Sequence, residues 1–467
     1  MTVEQIYTGC LAQGAYYIRS ENEAAIIDPL RETKPYIERA QKDGVKIKYI
    51  LETHFHADFV SGHVDLAKKT GAEIVFGPNA QTGYQATIAK DGQELSIGKV
   101  KIKVLHTPGH TLESSTYLLL DESGKEHAIF TGDTLFIGDV GRPDLAIKSD
   151  LTQEDLAGMM YESLRNKIMK LPDEVIVYPA HGAGSACGKN MSKETFDTLG
   201  HQKEVNYALQ PISKKEFIEE LTTGILPAPQ YFPKNALLNK MGYDAIDEVM
   251  DRGHKALSPA EVEGKANEGD VLILDVRKPQ DFAKAHIPNS IFIGIDGQFA
   301  PWVGALISDL KQAIILVAPT GREEEAVMRL ARVGYDNTIG YLEGGIGAWI
   351  NAGKETDSVT SISAEAFVED YKKNNIHILD VRKPGEYSAQ HLAKAEHKAL
   401  DFINEWTGEL DKSKEYYVHC AGGYRSMIAA SILKSRGIHK LIDIEGGFSA
   451  IQKTGIAVSE FTCPNEK

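Results

Sequence analysis

Five histidines and two aspartates in the first part of the chain have the types and spacing to hold a metal ion. THFHADF carries His54, His56 and Asp58 on one short loop, HTPGHT carries His106 and His110, TGDTLF carries Asp133, and YPAHG carries His181. A pair at i, i+2 after a strand points two imidazoles the same way, which suits one cation. Imidazole and carboxylate donors together fit zinc, iron or manganese. A different chemistry lies near the C-terminus. There EYYVH runs as a strand into Cys420-Ala-Gly422-Gly423-Tyr-Arg425-Ser, ahead of the apolar helical pattern MIAASILK. A cysteine at a strand end, before glycines and a helix start, faces backbone N–H groups that favour the thiolate and an anion carried on it. Arg425 adds a fixed positive charge.

These residues need strands to position them. Ala24–Asp28, Lys46–Leu51, Ala72–Phe76, Lys99–Leu105, Ala128–Asp133 and Glu174–Ala180 read as strands. Four of them run into loops that bear His or Asp, where sites on such sheets are built. From Ser192 to about Gly253 the pattern turns mainly helical, broken by LPAPQYFP. Beyond it lies an internal repeat: DVRKPQDFAKAHIP begins at Asp275 and DVRKPGEYSAQHLA at Asp380, with EGGIGAW from Glu343 and EGGFSAI from Glu445. Units of about 100 residues are too long for a solenoid repeat and read as duplicated α/β domains. The expected domains are 1–254, 255–356 and 357–467, in keeping with 467 residues.

Composition narrows the function classes. Hydrophobic residues at 42% and charged residues at 25% are globular values and argue against wholesale disorder. A net charge of −15 argues against a nucleic-acid partner, which needs clustered Lys and Arg. No apolar run is long enough to span a membrane, and the start lacks a secretory pattern. The four cysteines, Cys10, Cys187, Cys420 and Cys463, have no paired spacing. They fit free thiols in a reducing cytoplasm rather than a disulfide framework. Cys10 and Cys463 have no motif around them. Cys187, six residues after His181 in HGAGSACGK, sits where a thiol could hold a sulfur intermediate.

The order HxHxD, PGHT, GD and PAHG resembles the metallo-β-lactamase fold superfamily over roughly residues 1–195. Its pattern is similar to those of hydroxyacylglutathione hydrolases and persulfide dioxygenases. The resemblance implies an αββα sandwich. The superfamily usually shows HxHxDH, serving two metal positions, whereas this chain reads His54-Phe-His56-Ala-Asp58-Phe59. A phenyl ring cannot ligate, so a second metal on Asp58 and His181 would lose a donor. Carried over from the persulfide dioxygenases, one Fe(II) per chain would be held by His54, His110 and Asp133, with zinc the alternative. His56, Asp58 and His181 would then orient ligands or bound water. Arg142 in GRPD resembles the family's arginine on the substrate side, and Cys187 is assigned to that side as well.

The Cys420 loop, with Asp380, Arg382, Glu386, Tyr387 and His391, resembles the rhodanese sulfurtransferases over about residues 360–458. Its C-x4-R length resembles the sulfur-transferring members, while oxyanion-handling relatives use C-x5-R. The resemblance implies a mainly parallel α/β domain. It makes Cys420 a nucleophile that becomes a persulfide, aided by Arg425, with Gly422 and Gly423 cradling the anion. In the middle unit Val317 or Ala318 stands where Cys420 stands, followed by Glu323–Glu325, so that copy has no nucleophile; Asp275, Arg277 and Arg322 are left for structure.

The expectation is a fused enzyme. The first domain would oxygenate a low-molecular-weight persulfide (of glutathione, coenzyme A or a similar thiol) with O₂ to sulfite. The last would supply or accept sulfane sulfur and yield thiosulfate. A zinc thioester hydrolase with an accessory sulfurtransferase is the alternative, and a sulfur-carrying sensor is a third reading. A homo-oligomer is compatible with the pattern, which fixes no symmetry.

Overall fold

A computed structural model describes residues 1–146, 151–373 and 376–460. Cys463 lies outside them. The chain forms two compact units: Met1–Glu248 with the short segment Leu330–Gly334, and Val249–Arg329 with Tyr335 onward. The division falls inside helix Ile246–Gly253. Among the described residues no helix is long and apolar enough to cross a membrane.

The first unit is the expected αββα sandwich. Two six-stranded sheets face each other. The first begins with the antiparallel run Thr2–Thr8, Gln13–Ser20 and Glu23–Ile27, then continues in parallel through Lys46–Glu52 and Glu73–Phe76. The second is centred on Val100–His106, Ser115–Leu120, Glu126–Gly132 and Ile176–Pro179. Between them lies an apolar layer that includes Ile18, Ile27, Leu51 and Val75 from one sheet and Ile102, Val104, Leu119 and Phe130 from the other. Helices Lys34–Asp43 and His63–Thr70 cover the outer face of the first sheet through Tyr36, Ala40 and Leu66. Helices Gln153–Asn166 and Lys214–Thr222 cover the second through Leu156, Met160, Phe217 and neighbours. The latter two start at capping boxes, Thr152 with Asp155 and Ser213 with Glu216, which satisfy backbone donors at both helix starts.

All six strands read from the sequence are present. Thr2–Thr8, Gln13–Ser20, Glu94–Ile97 and Ser115–Leu120 are strands that the pattern did not mark. Ser115–Leu120 is buried throughout, and Gln13–Ser20 nearly so. Strands covered on both faces lose the polar–apolar alternation by which a strand is recognised.

The second unit contains two five-stranded, all-parallel sheets of identical order. The first runs Ala256–Leu257, Thr338–Leu342, Ala313–Val317, Val271–Asp275, Ile291–Phe292. The other runs Thr360–Ile362, Leu441–Ile444, Tyr416–His419, His377–Asp380, Ala395–His397. Register decides the middle domain's ambiguity. Asp275 pairs with Val317 as Asp380 pairs with His419, so Ala318 is the counterpart of Cys420.

In the first unit one backbone position ties fold to site. Gly132, the residue before Asp133, has φ +53°, and a Cβ there would lie 2.5 Å from Thr53 Oγ1. Gly132→Ala should therefore destabilise the first unit by about 1–3 kcal/mol. Chemical denaturation checks this; an unchanged midpoint would contradict it.

Candidate functional site

The metal-ligand candidates lie at the ends of strands from both sheets. Asp133 follows strand Glu126–Gly132 and His181 follows its parallel neighbour Ile176–Pro179, which brings the two together. His54 follows Lys46–Glu52, and His110 sits in the loop that leads into Ser115–Leu120. The Asp133 carboxylate faces three imidazoles: Oδ2 is 3.9 Å from His54 Nε2 and 3.4 Å from His110 Nε2, and Oδ1 is 3.6 Å from His181 Nε2. All four side chains are buried.

The partners of the far nitrogens fix the tautomers. The Thr53 hydroxyl donates to Asp28 (2.8 Å) and so accepts from His54 Nδ1 at 3.0 Å. His110 Nδ1 donates to the Arg142 carbonyl at 2.8 Å. Both Nε2 lone pairs therefore point at Asp133, the arrangement that ligating histidines use. Burial, then the neighbouring imidazoles, holds His54 well below its ordinary pKa and keeps it neutral. Burial alone would lower His181 too, but Asp58 and Asp133 outweigh it and hold that ring well above its usual value.

Neither Asp133 oxygen has a hydrogen-bond donor, although both are buried. A buried carboxylate left so is costly unless a cation meets it. His54, His110 and Asp133 bring one donor atom each within 4.8 Å of one another, so the residues present fit a metal. His56, Asp58 and His181 form a second such group. Phe59, where the superfamily's last histidine would stand, is fully buried and stacks on His56 with ring centroids 4.3 Å apart.

Other sequence candidates take clear places. Arg142 is buried, with its guanidinium bound to Asp144 (2.6 and 2.7 Å) and to the Ala186 and Leu226 carbonyls (3.2 and 2.6 Å). Its main chain meets the site directly, through the carbonyl on His110. Cys187 groups with Asp133 and His181; burial first, then Asp58 and Asp133, pushes its thiol up to about 12. His106 stands apart, its Nε2 on the Leu112 carbonyl. Cys10 is a half-buried free thiol.

Sequence reasoning passed over the residues that brace the THFHADF loop. Asp28, with φ +48°, accepts from both the N–H and the hydroxyl of Thr53 and lies 3.2 Å from His56 Nε2. Asn239, in helix Phe232–Met241, donates to the His56 and Phe59 carbonyls (2.7 and 2.8 Å) and accepts from Ser61 N–H. A strand ending in Asp was the available signal for Asp28. Nothing in the sequence marks Asn239, which lies 183 residues from His56.

In the second unit Cys420 is buried, its Sγ accepting from Gly423 N–H at 3.1 Å and lying 3.7 Å from Ser426 Oγ. The second repeated motif supports this loop, with Phe448 N–H on the Cys420 carbonyl (2.7 Å) and Ser449 N–H on that of Ala421 (3.0 Å). Arg425 makes a bidentate pair with Glu386 (2.6 and 2.8 Å), so its guanidinium braces the loop against helix Pro384–Ala389. Asp380 and Arg382 pair bidentately beneath it, as Asp275 and Arg277 do in the middle domain. Arg322 pairs with Asp296 and Glu325.

The model of the Metallo-beta-lactamase superfamily matches residues 8–181. That of the Rhodanese-like domain matches twice, over 258–352 and 363–454. A crystal structure described as a metallo-beta-lactamase from Staphylococcus aureus subsp. aureus COL is 30% identical. It covers 73% of this chain and 98% of its own, with a TM-score of 0.65. The human persulfide dioxygenase ETHE1 is 31% identical over 215 residues, 45% of this chain and 76% of its own. A probable hydroxyacylglutathione hydrolase of Schizosaccharomyces pombe is 33% identical over 181 residues, 38% of this chain and 66% of its own.

Two outcomes follow from the geometry. Asn239→Ala frees the metal loop and should weaken metal affinity about 10–100-fold, as loss of an outer partner does, read by competition with a chelating dye. Asp443, buried beside Ser361 and Ser426, is pushed up to about 6 by burial. Its folded pKa lies above the unfolded one, so the stability it contributes is present below about pH 4 and lost as pH rises through 6. Asp443→Asn should therefore stabilise the second unit at pH 8, by on the order of 3 kcal/mol at most, with the gain gone at pH 4. Urea unfolding at the two pH values checks the sign.

Proposed function

The chain belongs to the metallo-beta-lactamase superfamily and continues into two rhodanese-like domains, and from that premise we propose that it is an iron-dependent persulfide dioxygenase fused to a sulfurtransferase. The observation that carries the reading is Phe59. It occupies the place of the last histidine of the superfamily's HxHxDH motif, which removes a donor from the second metal position and favours His54, His110 and Asp133 as a two-histidine, one-carboxylate set, the ligand type of non-haem Fe(II) oxygenases. Iron at that set would supply dioxygen activation. Overall, a persulfide, O₂ and water give a thiol, sulfite and two protons.

The chain's own residues do the rest. Thr53 and the Arg142 carbonyl hold the two histidines in their ligating tautomers. Asp58, 3.4 Å from His181 Nε2, holds that ring beside Asp133. Burial keeps bulk water from the centre. At the second site the Cys420 thiolate attacks the outer sulfur of a persulfide; a Cys420–sulfur bond forms, the donor S–S bond breaks and the donor leaves as thiolate. Attack of sulfite on that sulfur then gives thiosulfate and restores the Cys420 thiolate. Sulfite from the first domain is a suitable acceptor for the second.

Anaerobically purified, iron-loaded protein should consume O₂ when given glutathione persulfide or coenzyme A persulfide. Cys420→Ser should abolish thiosulfate:cyanide transfer and spare O₂ uptake. No O₂ uptake at full iron loading would overturn the dioxygenase reading. The three donors of His56, Asp58 and His181 favour one other reading, a dinuclear zinc thioester hydrolase. Two zinc ions per chain with turnover of a glutathione thioester would establish that instead.

A further inference from the structure

The middle domain has no nucleophile, yet it touches the loop that carries one. Tyr424, between Gly423 and Arg425, lays its side chain against the segment after strand Ile291–Phe292 of the middle domain. Its hydroxyl donates to the Gly294 carbonyl at 2.7 Å, and its ring meets Phe292 edge-on at 6.0 Å. Gly297 closes over the ring: a Cβ there would lie 2.2 Å from Tyr424 Cζ. Two turns further along helix Tyr424–Ser435, Ser431 Oγ accepts from Phe292 N–H at 2.9 Å. The helix is therefore pinned to the middle domain at its first residue and again at its eighth.

The pinned end is the one that matters for chemistry. Gly423, which donates its N–H to Cys420 Sγ, is the residue immediately before Tyr424. Gly423 is buried with φ +96°, and its N–H is committed to Cys420 Sγ. It is bonded directly to the anchored Tyr424, so a shift of that side chain from its seat would be passed to the N–H that faces the sulfur.

We propose that Tyr424 is a positioning residue for Cys420, and that the middle rhodanese-like domain is the template against which it sets the sulfur-carrying loop. This rests on the reading of Cys420 as the sulfur-transferring nucleophile. The lost cysteine of the middle copy then has a counterpart gain, because the segment after Ile291–Phe292 offers a glycine-lined seat for an aromatic ring.

The test uses the full chain with Tyr424→Phe, Gly297→Val and the double variant. In thiosulfate:cyanide transfer, Tyr424→Phe should lower kcat about fivefold, the equivalent of one hydrogen bond. Gly297→Val, far from the sulfur in sequence and in a domain without chemistry, should lower it at least tenfold. KM for thiosulfate should stay within twofold in both, O₂ uptake should be unchanged, and the double variant should be no worse than Gly297→Val alone. A kcat within twofold of the parent in Tyr424→Phe overturns the proposal even if Gly297→Val does not fold. Iodoacetamide labelling of Cys420, followed by peptide mass spectrometry, reads the loop without any sulfur transfer. It should slow at least threefold in Tyr424→Phe, because the thiolate is the reacting form and loses its N–H partner. Unchanged or faster labelling also overturns the proposal. A parent chain without Cys420-dependent transfer overturns the sulfurtransferase reading instead, and the labelling result still stands by itself.

Discussion

A carboxylate buried with no donor on either oxygen is the constraint around which the first unit is arranged. The Asp133 carboxylate has three imidazoles around it and no hydrogen-bond donor on either oxygen. Such a group is costly unless positive charge meets it, here the His181 ring at 3.6 Å or a bound cation, and the surrounding rings must be kept from drifting toward it. The structure prevents that drift by occupying the outer nitrogen of each candidate ligand. Thr53 takes His54, the Arg142 carbonyl takes His110, and the Ala12 carbonyl lies 3.3 Å from His181 Nδ1. Asp28 in turn holds Thr53 while in a left-handed conformation uncommon for a residue with a side chain. Strain at that position is sustained because the strands on either side fix it.

The second unit solves a related problem with repetition. Each copy pairs an aspartate with an arginine two residues on, and in each the second glycine of the EGG turn lies against the carbonyl that ends the central strand, that of Ala318 or Cys420. In the last copy that loop presents a thiol to a backbone N–H. In the middle copy Ala318 stands there instead, and Arg322 is engaged by Asp296 and Glu325. The scaffold is common to both copies; the residue at the end of the central strand, Ala318 in one and Cys420 in the other, is what differs.

The candidate donors that the fold brings together were largely legible in the sequence, because they and the loop cysteine follow strands closely and so leave short motifs. The replacement at Phe59 was legible for the same reason, and its stacking on His56 gives the missing histidine a physical counterpart. The supporting layer was less legible. Asn239 reaches the His56 loop from the helical extension, and Arg142 meets His110 through its carbonyl rather than its side chain. Main-chain roles carry no side-chain signature, so no motif could have announced the second of these.

The sequence by itself determined the number of domains, the class of each, which histidines and aspartates are candidate metal donors, and the one cysteine on a C-x4-R loop. These follow from residue type and short-range spacing, which the linear order preserves. Only the tertiary structure decided that Ala318 rather than Val317 matches Cys420, that Arg425 is held by Glu386, and that Tyr424 is seated on Gly294 and Gly297. Register, ion pairing and close approach are relations between segments that meet only after folding, and each is fixed by packing between strands and helices far apart in the chain.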